Sequence, residues 1–481
     1  MGKRFQNIWI ILLTSTTIIA CNLIQGNQGN NPPSDTQEAT CPIFSAEVNQ
    51  STKISPEKES TTSIAKIVTS SILDFQISPD GRRLAYSTQL NDKKFMAIDG
   101  KEGDKYDYVS PPIFSQDGKR IAYAARSGNK YMMIVDDKES KQYDDLTPLV
   151  FSSDSSKYAY LAMVGNEWMI VVDGNEGEKY SAASDPIFSP DSEQLVFAVL
   201  VDSKSAFVVN GLMTDEYDAV GSTSFMFSPD SQRTAYVAVE NNNQFIVLDG
   251  RNGTSYDGFQ LLTFSPDSTR FAFRAQRGEK QLAVVDGKEE PGYDKVVFIC
   301  FSPDSKKLAY VAEENNKQFV VVDGVKDPEY DGIGIGTPVF SPDSKQVGYG
   351  AQSGDKWSVV VNGVEGQSYD GEQYLVFSPD SSRFIYRAQI GSKQVVVENG
   401  QVGEQFDGIT DPIFSPDSRH IVYKGFLGEQ VYLVVDGEKV EKYDRIISSI
   451  FFDSPEYVHF LAVKHLSASE DEVLLVVKKI N

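Results

Sequence analysis

Histidine is scarce in this 481-residue chain, with three copies, and cysteine is equally scarce, with three. Three scattered imidazoles exclude a metal centre built from several His. Three thiols exclude a small fold stapled by disulfides. Positive charge is also short: 45 Lys and Arg stand against 68 Asp and Glu, a formal net charge of -23. A nucleic-acid backbone needs a basic footprint, so no nucleic acid is expected as partner. There is no nucleophile elbow and no C-terminal hydrolase domain, which argues against a serine hydrolase. Long apolar runs are missing as well. The one at the N-terminus is too short and too polar for a comfortable membrane span.

What is present is 40% hydrophobic residues, with 28 Phe and 23 Tyr. That is enough for a sizeable core, and it favours strands. The first residues form an address. Lys3 and Arg4 precede the apolar run Ile8 to Leu13, then Thr14 to Thr17, then Ile18-Ile19-Ala20-Cys21. A basic start, an apolar core and a small residue before the cut make a secretory signal. Residues 22 to about 60 are rich in Asn, Gln, Ser, Thr, Gly and Pro and read as a flexible tether, interrupted by Cys41-Pro42-Ile43-Phe44.

Ile18-Ile19-Ala20-Cys21 resembles the lipobox of bacterial lipoproteins. It departs from the commonest form, which has Leu at Ile18 and a small residue at Ile19. The resemblance implies removal of residues 1–20 and a lipid on Cys21. It also implies anchoring in the bacterial cell envelope, on the periplasmic face of the outer membrane or at the cell surface. Residues 21–63 are then the lipidated Cys and tether, and 64–481 the folded body.

That body repeats itself. The Ser of a Phe-Ser-Pro-Asp turn recurs at Ser78, Ser115, Ser152, Ser189, Ser228, Ser265, Ser302, Ser341, Ser378 and Ser415, with Asp453 in a degenerate eleventh copy. The spacings are 37 to 39 residues. Twenty-one residues after each anchor stands Asp or Asn, as at Asp99 and Asp323, followed by Gly in nine of ten copies; Asp137 is the exception. Seven residues further stands Tyr or Phe, usually followed by Asp. Pro-Asp-Ser after an apolar strand is a turn with Pro fixing φ. Asp-Gly after an apolar triplet is a tight hairpin with φ > 0. The runs between turns are short and β-branched or aromatic, so each repeat holds four strands, A to D. Two-residue insertions at Ala219–Phe227 and Gly332–Phe340 assign the variable piece to the crossover between repeats.

The expected fold is all-β, a β-propeller of about eleven four-stranded repeats. Its hairpins argue against a parallel solenoid. The last copy ends after strand C, near Val473 to Val477, while Ile64 to Ile67 has the register of a strand D. An N-terminal strand completing the last blade closes a ring. One ring of eleven is the expectation; five plus six, or four plus seven, are the alternatives. The repeat resembles the TolB-like, WD-like propeller repeats of bacterial envelope proteins, on Ile77-Ser78-Pro79-Asp80-Gly81 with Ala85-Tyr86 and on Phe301-Ser302-Pro303-Asp304-Ser305 with Ala309-Tyr310. The resemblance covers residues 64 to 481 and implies a propeller. The α/β domain that TolB carries before its propeller has no counterpart here.

Chemistry is sparse. His420 falls at a position occupied by Arg83, Arg120 or Lys307 in other copies, read as a solvated face; His459 and His465 lie in the irregular last copy as candidates for capping the closure. The repeated turn Asp, as at Asp304, reads as an Asx-type turn, with a cation-collecting carboxylate ring as alternative. Cys300 reads as a buried thiol, with Cys41 the candidate disulfide partner if Cys21 is lipidated. Trp168, Trp357 and Tyr131 share the offset sixteen past the anchor and are candidate ligand contacts, as are Arg274 and Arg387, which repeat three copies apart. No cofactor, metal or catalytic residue is expected. The favoured function is a lipid-anchored, non-enzymatic scaffold binding another envelope protein or a glycan. The alternative is a carbohydrate-active enzyme, lyase or glycosidase, with carboxylates in the central channel.

Overall fold

Blade 7 shows how one repeat folds. Its strands are A (Lys295–Phe301), B (Leu308–Glu314), C (Lys317–Val322) and D (Val325–Lys326), paired antiparallel in that order. The A–B turn is closed by the Ser305 N–H donating to the Ser302 carbonyl at 2.8 Å, with Pro303 inside it. Asp323 and Gly324 carry φ of 49° and 77°, both left-handed, which makes the C–D connection a primed two-residue hairpin. Asp136 and Asp137 adopt the same pair of values, 50° and 62°, so the copy lacking Gly keeps the turn.

The computed structural model describes residues 58–68, 72–467 and 469–480. The expected signal (1–20), Cys21, Cys41 and most of the tether lie outside these residues. The described strands form eleven sheets of four or five strands; the fifth appears where strand A is split in two. Strand B is buried on both faces, and alternate residues serve different neighbours. Leu308, Tyr310 and Ala312 pack with Ala272, Ala283 and Val285 of blade 6. Ala309 and Val311 pack with Tyr349, Ala351 and Val360 of blade 8. A period of two along one strand thus supplies two interfaces. Each buried Val or Leu there contributes roughly 1.5–3 kcal/mol.

Eleven core clusters run round the described ring, one per pair of neighbours. The last of them joins Leu84, Tyr86 and Ala97 of blade 1 to Leu461, Val463 and Val473 of blade 11. Blade 11 takes its strand D from the other end of the chain: Ser60–Val68 pairs antiparallel with Glu470–Lys479, from Ser60 opposite Val477 to Val68 opposite Glu470. Ala65 and Ile67 of that strand enter the closing cluster. The fold is one closed propeller of eleven blades, which removes the two-ring alternatives.

The crossover assignment needs correction. Strand D of blade 1 ends at Tyr106, and the Asp107 N–H already donates to the Arg126 carbonyl of blade 2 at 2.9 Å. One residue makes the crossing. The inserted residues instead widen a bulge in strand A, between Ala219–Val220 and Met226–Phe227 in blade 5 and between Gly332–Ile333 and Val339–Phe340 in blade 8. Strands A of blades 1 and 2, 6 and 7, and 8 and 9 approach one another, which places strand A toward the axis. The long D strands, such as Lys101–Tyr106, are mostly exposed on the outer rim.

Removing residues 1–57 should leave the melting temperature unchanged, because every described strand survives. Removing residues 1–70 takes away the closing strand and uncovers the edge of Glu470–Lys479. Thermal melting and light scattering should then show a large loss of stability and aggregation. Equal stability of the two truncations would contradict closure by this strand.

Candidate functional site

The two rims of the ring are occupied by links between blades. On the rim of the Phe-Ser-Pro-Asp turns, the Ser302 hydroxyl donates to Asp304 Oδ1 at 2.6 Å and the Lys306 N–H donates to the same oxygen at 3.2 Å. The turn Asp is therefore engaged by its own turn. These hydrogen bonds hold the carboxyls low, Asp267 and Asp343 at about 2, with the anchor Ser hydroxyl the first cause in each. Among the described residues no group of three or more His, Cys, Asp or Glu is arranged to hold a metal ion.

The Ser after the turn Asp sits in left-handed backbone, with Ser305 at φ 62°. Its hydroxyl accepts the Asp267 N–H of the preceding blade at 2.9 Å. The same bond joins Asp117 to Ser155, Asp154 to Ser192, Asp191 to Ser231, Asp230 to Ser268, Asp304 to Ser344, Asp343 to Ser381 and Asp380 to Ser418. Five residues past the anchor, a long side chain reaches forward to the next turn. Arg120 donates to the Ser155 carbonyl at 3.3 Å, Lys157 to Ser192 at 2.9 Å, Gln194 to Ser231 at 2.8 Å and Lys307 to Ser344 at 2.9 Å. Arg83 does the same at Gly118 and Lys119. The expected solvated-face position is thus a clamp between blades. His420 is the variant, its Nδ1 lying 2.7 Å from Asp436 Oδ2.

On the opposite rim the crossover Asp is the link. Asp107 accepts Lys93 Nζ of blade 1 at 2.6 Å and the Gly128 N–H of blade 2 at 2.7 Å. Asp144, Asp294, Asp331, Asp370 and Asp407 repeat both bonds. Their carboxyls are lowered, first of all by the Lys hydrogen bond.

With both rims regular, the blades differ mainly on the inner wall. In blade 8, Thr337 closes a turn on the Gly334 carbonyl, N–H at 3.2 Å and hydroxyl at 2.6 Å, and Ile335 at its tip is 93% exposed. In blade 5 Ser224 closes the same turn on Gly221, at 2.8 and 2.7 Å, with Ser222 and Thr223 at the tip. Blades 6 and 9 bend their inner strands through Leu261 and Tyr374, at φ 54° and 63°. Bulky residues in left-handed backbone are strained and concentrate at functional places. Val297 of blade 7 is 42% exposed. Blades 7 and 8 thus expose Val297 and Ile335 on neighbouring inner strands, while Leu261 packs against the core between blades 6 and 7. Asp74, Asp145, Asp185 and Asp411 are acidic residues in the inner stretches of blades 1, 3, 4 and 10. Crowding around Asp185 raises its carboxyl above the usual range.

Arg274 and Arg387 come to this wall. Arg274 donates to the Val296 carbonyl at 2.7 Å. Arg387 donates to the Ile409 carbonyl at 2.8 Å and lies 3.2 Å from Asp411 Oδ1. Lys424, which sequence reasoning passed over, takes the equivalent place in blade 10 and reaches the Ser448 carbonyl at 2.8 Å. Tyr131, Trp168 and Trp357 are half-buried at the start of strand C in blades 2, 3 and 8. Trp168 packs against the core between blades 3 and 4, and the Arg126 guanidinium lies 5.8 Å from the Tyr131 ring. In blades 6, 7 and 9 this place holds Gln281, Gln318 and Gln394, which accept the Val296, Ile333 and Ile409 N–H of the next inner strand. The structure does not gather the three aromatics into one patch. Cys300 is 2% exposed, its Sγ donating to the Pro338 carbonyl at 3.6 Å.

Carboxyls held low in the folded state stabilise it above the unfolded carboxylate range and cease to do so as pH falls through their folded values. The carboxylates' contribution to the melting temperature should be complete above about pH 4, then fall steeply toward the value of about 2 held by Asp267, Asp343 and Asp380. Calorimetry across that window checks this; a fall that is complete above pH ~4 would contradict it.

No family model matches the chain, and no curated protein matches it. Among solved structures it is similar to a eukaryotic initiation factor, at 14% identity and a TM-score of 0.36, over 69% of this chain and 88% of that one. It is similar to TolB from Acinetobacter baumannii at 16% identity and a TM-score of 0.25, over 44% of this chain and 63% of TolB. It is also similar to the β-propeller domain of the Trilobed protease from Pyrococcus furiosus, at 14% identity and a TM-score of 0.27, over 54% of this chain and 97% of that domain. At these identities and TM-scores the likeness carries no fold or function to this chain.

Proposed function

We propose that this chain is a lipid-anchored scaffold of the bacterial cell envelope, with TolB-like repeats, that binds an envelope protein or a glycan through its inner wall and performs no catalysis. The observation that carries the reading is where the blades differ. The Ser link recurs at eight joints and the two-bond crossover Asp at six, whereas the inner strands of blades 5, 6, 8 and 9 carry the insertions and the strained residues. Exposed apolar side chains on neighbouring inner strands favour burial against a partner. The lipobox-like Ile18-Ile19-Ala20-Cys21 and the polar stretch after it support the anchoring. Cys21 carries the lipid in this reading, and residues 22 to about 60 hold the ring away from the bilayer.

The binding half is tested by photo-crosslinking in intact envelopes. A crosslinker at position 335 should give a discrete adduct with protein or glycan, and one at Val364 on the outer rim should not. Ile335→Asp should abolish capture of that same species, and Val364→Asp should leave it. Adducts only from the rim, or turnover of a polysaccharide lost on replacing Asp185 or Asp411, would contradict the reading. The anchoring half is tested by mass spectrometry of the mature N-terminus. An acylated residue 21 in the membrane fraction, and release of Cys21→Ser to the soluble fraction, are expected. An unmodified N-terminus elsewhere would contradict it.

A further inference from the structure

The inner strand of blade 1, Ile72–Ile77, is built unlike the others. Three residues before each anchor stands an apolar residue. It is buried in nine blades, as at Pro112, Phe225 and Ile299, and half-buried at Leu262 of blade 6. Ile299 joins the cluster shared with blade 6, and Phe225 the cluster shared with blade 4. In blade 1 the residue is Phe75, and it is 54% exposed; Leu73, two residues earlier, is 47% exposed. The cluster between blades 11 and 1 takes Ile72 and Ile77 from this strand and neither of these two. A large apolar pair is thus left on the inner wall at the one blade where the repeat elsewhere hides such a side chain.

Blade 1 lies beside the place where the N-terminal segment enters the ring. Ser60, at the start of the closing strand, stands opposite Val477, Val477 opposite His459, and His459 opposite Phe451 of the inner strand of blade 11. Ser60 is therefore level with the inner wall on the rim of the turns, three strands out, or roughly 15 Å away. His459 caps the seam, its Nε2 lying 2.6 Å from the Asp80 carbonyl oxygen of blade 1. The inner strand of blade 1 is roughly 10 Å further on. Residues 41–44 lie outside the described residues. Between residues 25 and 59 the longest apolar run is Cys41-Pro42-Ile43-Phe44, and Phe44 stands sixteen residues before Ser60. That length spans up to roughly 50 Å when extended, about twice what the path over the rim requires. A segment tethered so near is present at a high effective concentration, which a separate partner would have to match.

We infer that Ile43 and Phe44 fold back over the turn rim and seat on Leu73 and Phe75, so that the chain's own N-terminal segment straps the inner wall at blade 1. The strap leaves Val297 and Ile335 of blades 7 and 8 open to a partner. It depends neither on what those blades bind nor on a lipid at Cys21. Two side chains on eleven blades move the melting temperature too little to read, so proximity is the observable.

The test uses the purified full-length chain with no partner present. A benzophenone photo-crosslinker in place of Phe75 should join position 75 to residues 41–44 of the same chain, read by peptide mass spectrometry, with a yield unchanged on dilution. The pair Ile43→Asp and Phe44→Asp should abolish that adduct, and Val48→Asp should keep it. The Cys41 thiol gives a second reading in a chain without the crosslinker; Cys300, 2% exposed, does not compete. Alkylation of Cys41 should be slow in the wild type, several-fold faster in Phe75→Asp, and unchanged in Val364→Asp. Phe75 is outside the apolar clusters, so its replacement leaves the fold intact. No adduct to residues 41–44, an adduct that joins two chains and grows with concentration, or equal alkylation of Cys41 in the wild type and Phe75→Asp would overturn the inference.

Discussion

Each apolar cluster is shared by two blades, so no blade can bury its own strands. Strand B of blade 7 sends alternate side chains to opposite neighbours, and either neighbour's absence would expose half of them. Stability is then a property of adjacent pairs, as in any repeat array. Such an array has two costly ends unless it closes. Here the ends are abolished by borrowing the last strand from the N-terminal side, which makes Ser60–Val68 as structural as any strand of the ring. The rim links follow from the same constraint. Neighbouring turns lie close enough that a Ser hydroxyl, a long cation or a crossover Asp can span them, and each copy of the repeat spends its polar residues that way.

Much of this was legible in the sequence. The anchor spacing, the Asp-Gly hairpins and the strand around Ile64 to Ile67 all describe local backbone, and local backbone is what pattern reports. What escaped depends on partners about 35 residues away. Arg120 and Lys307 looked like solvated cations because their acceptors, Ser155 and Ser344, belong to the next blade. The insertions were misplaced because spacing counts residues without saying where strand A begins. Tyr-Asp looked like the start of a loop, yet Asp107 alone makes the crossing. The left-handed Leu261 and Tyr374 carry no local signal, since neither residue type favours that backbone.

The two glycines at the head of the ring show how neighbours choose residues. Gly118 stands where a Cβ would lie 2.6 Å from the Asp80 carboxylate, and Gly81 where Phe451 fills the space. Both replace the Ser of the other blades next to the seam. A ring so evenly linked leaves little freedom at its rims, so a binding function falls to the inner strands, whose bulges vary without touching the links. Trp168 packs against the core between blades 3 and 4, while Arg274 and Arg387 brace the wall.

The account stands or falls on closure of one ring of eleven blades through joints of comparable strength. Amide hydrogen exchange read by mass spectrometry reports each joint separately. Protection of the turn amides that bond to the next blade, from Asp117 to Asp380, and of the closing strand Ser60–Val68 should be lost together, at one common opening free energy. Rapid exchange confined to the seam and to Ser60–Val68, with the rest protected, would mean that the ring is open and would contradict it.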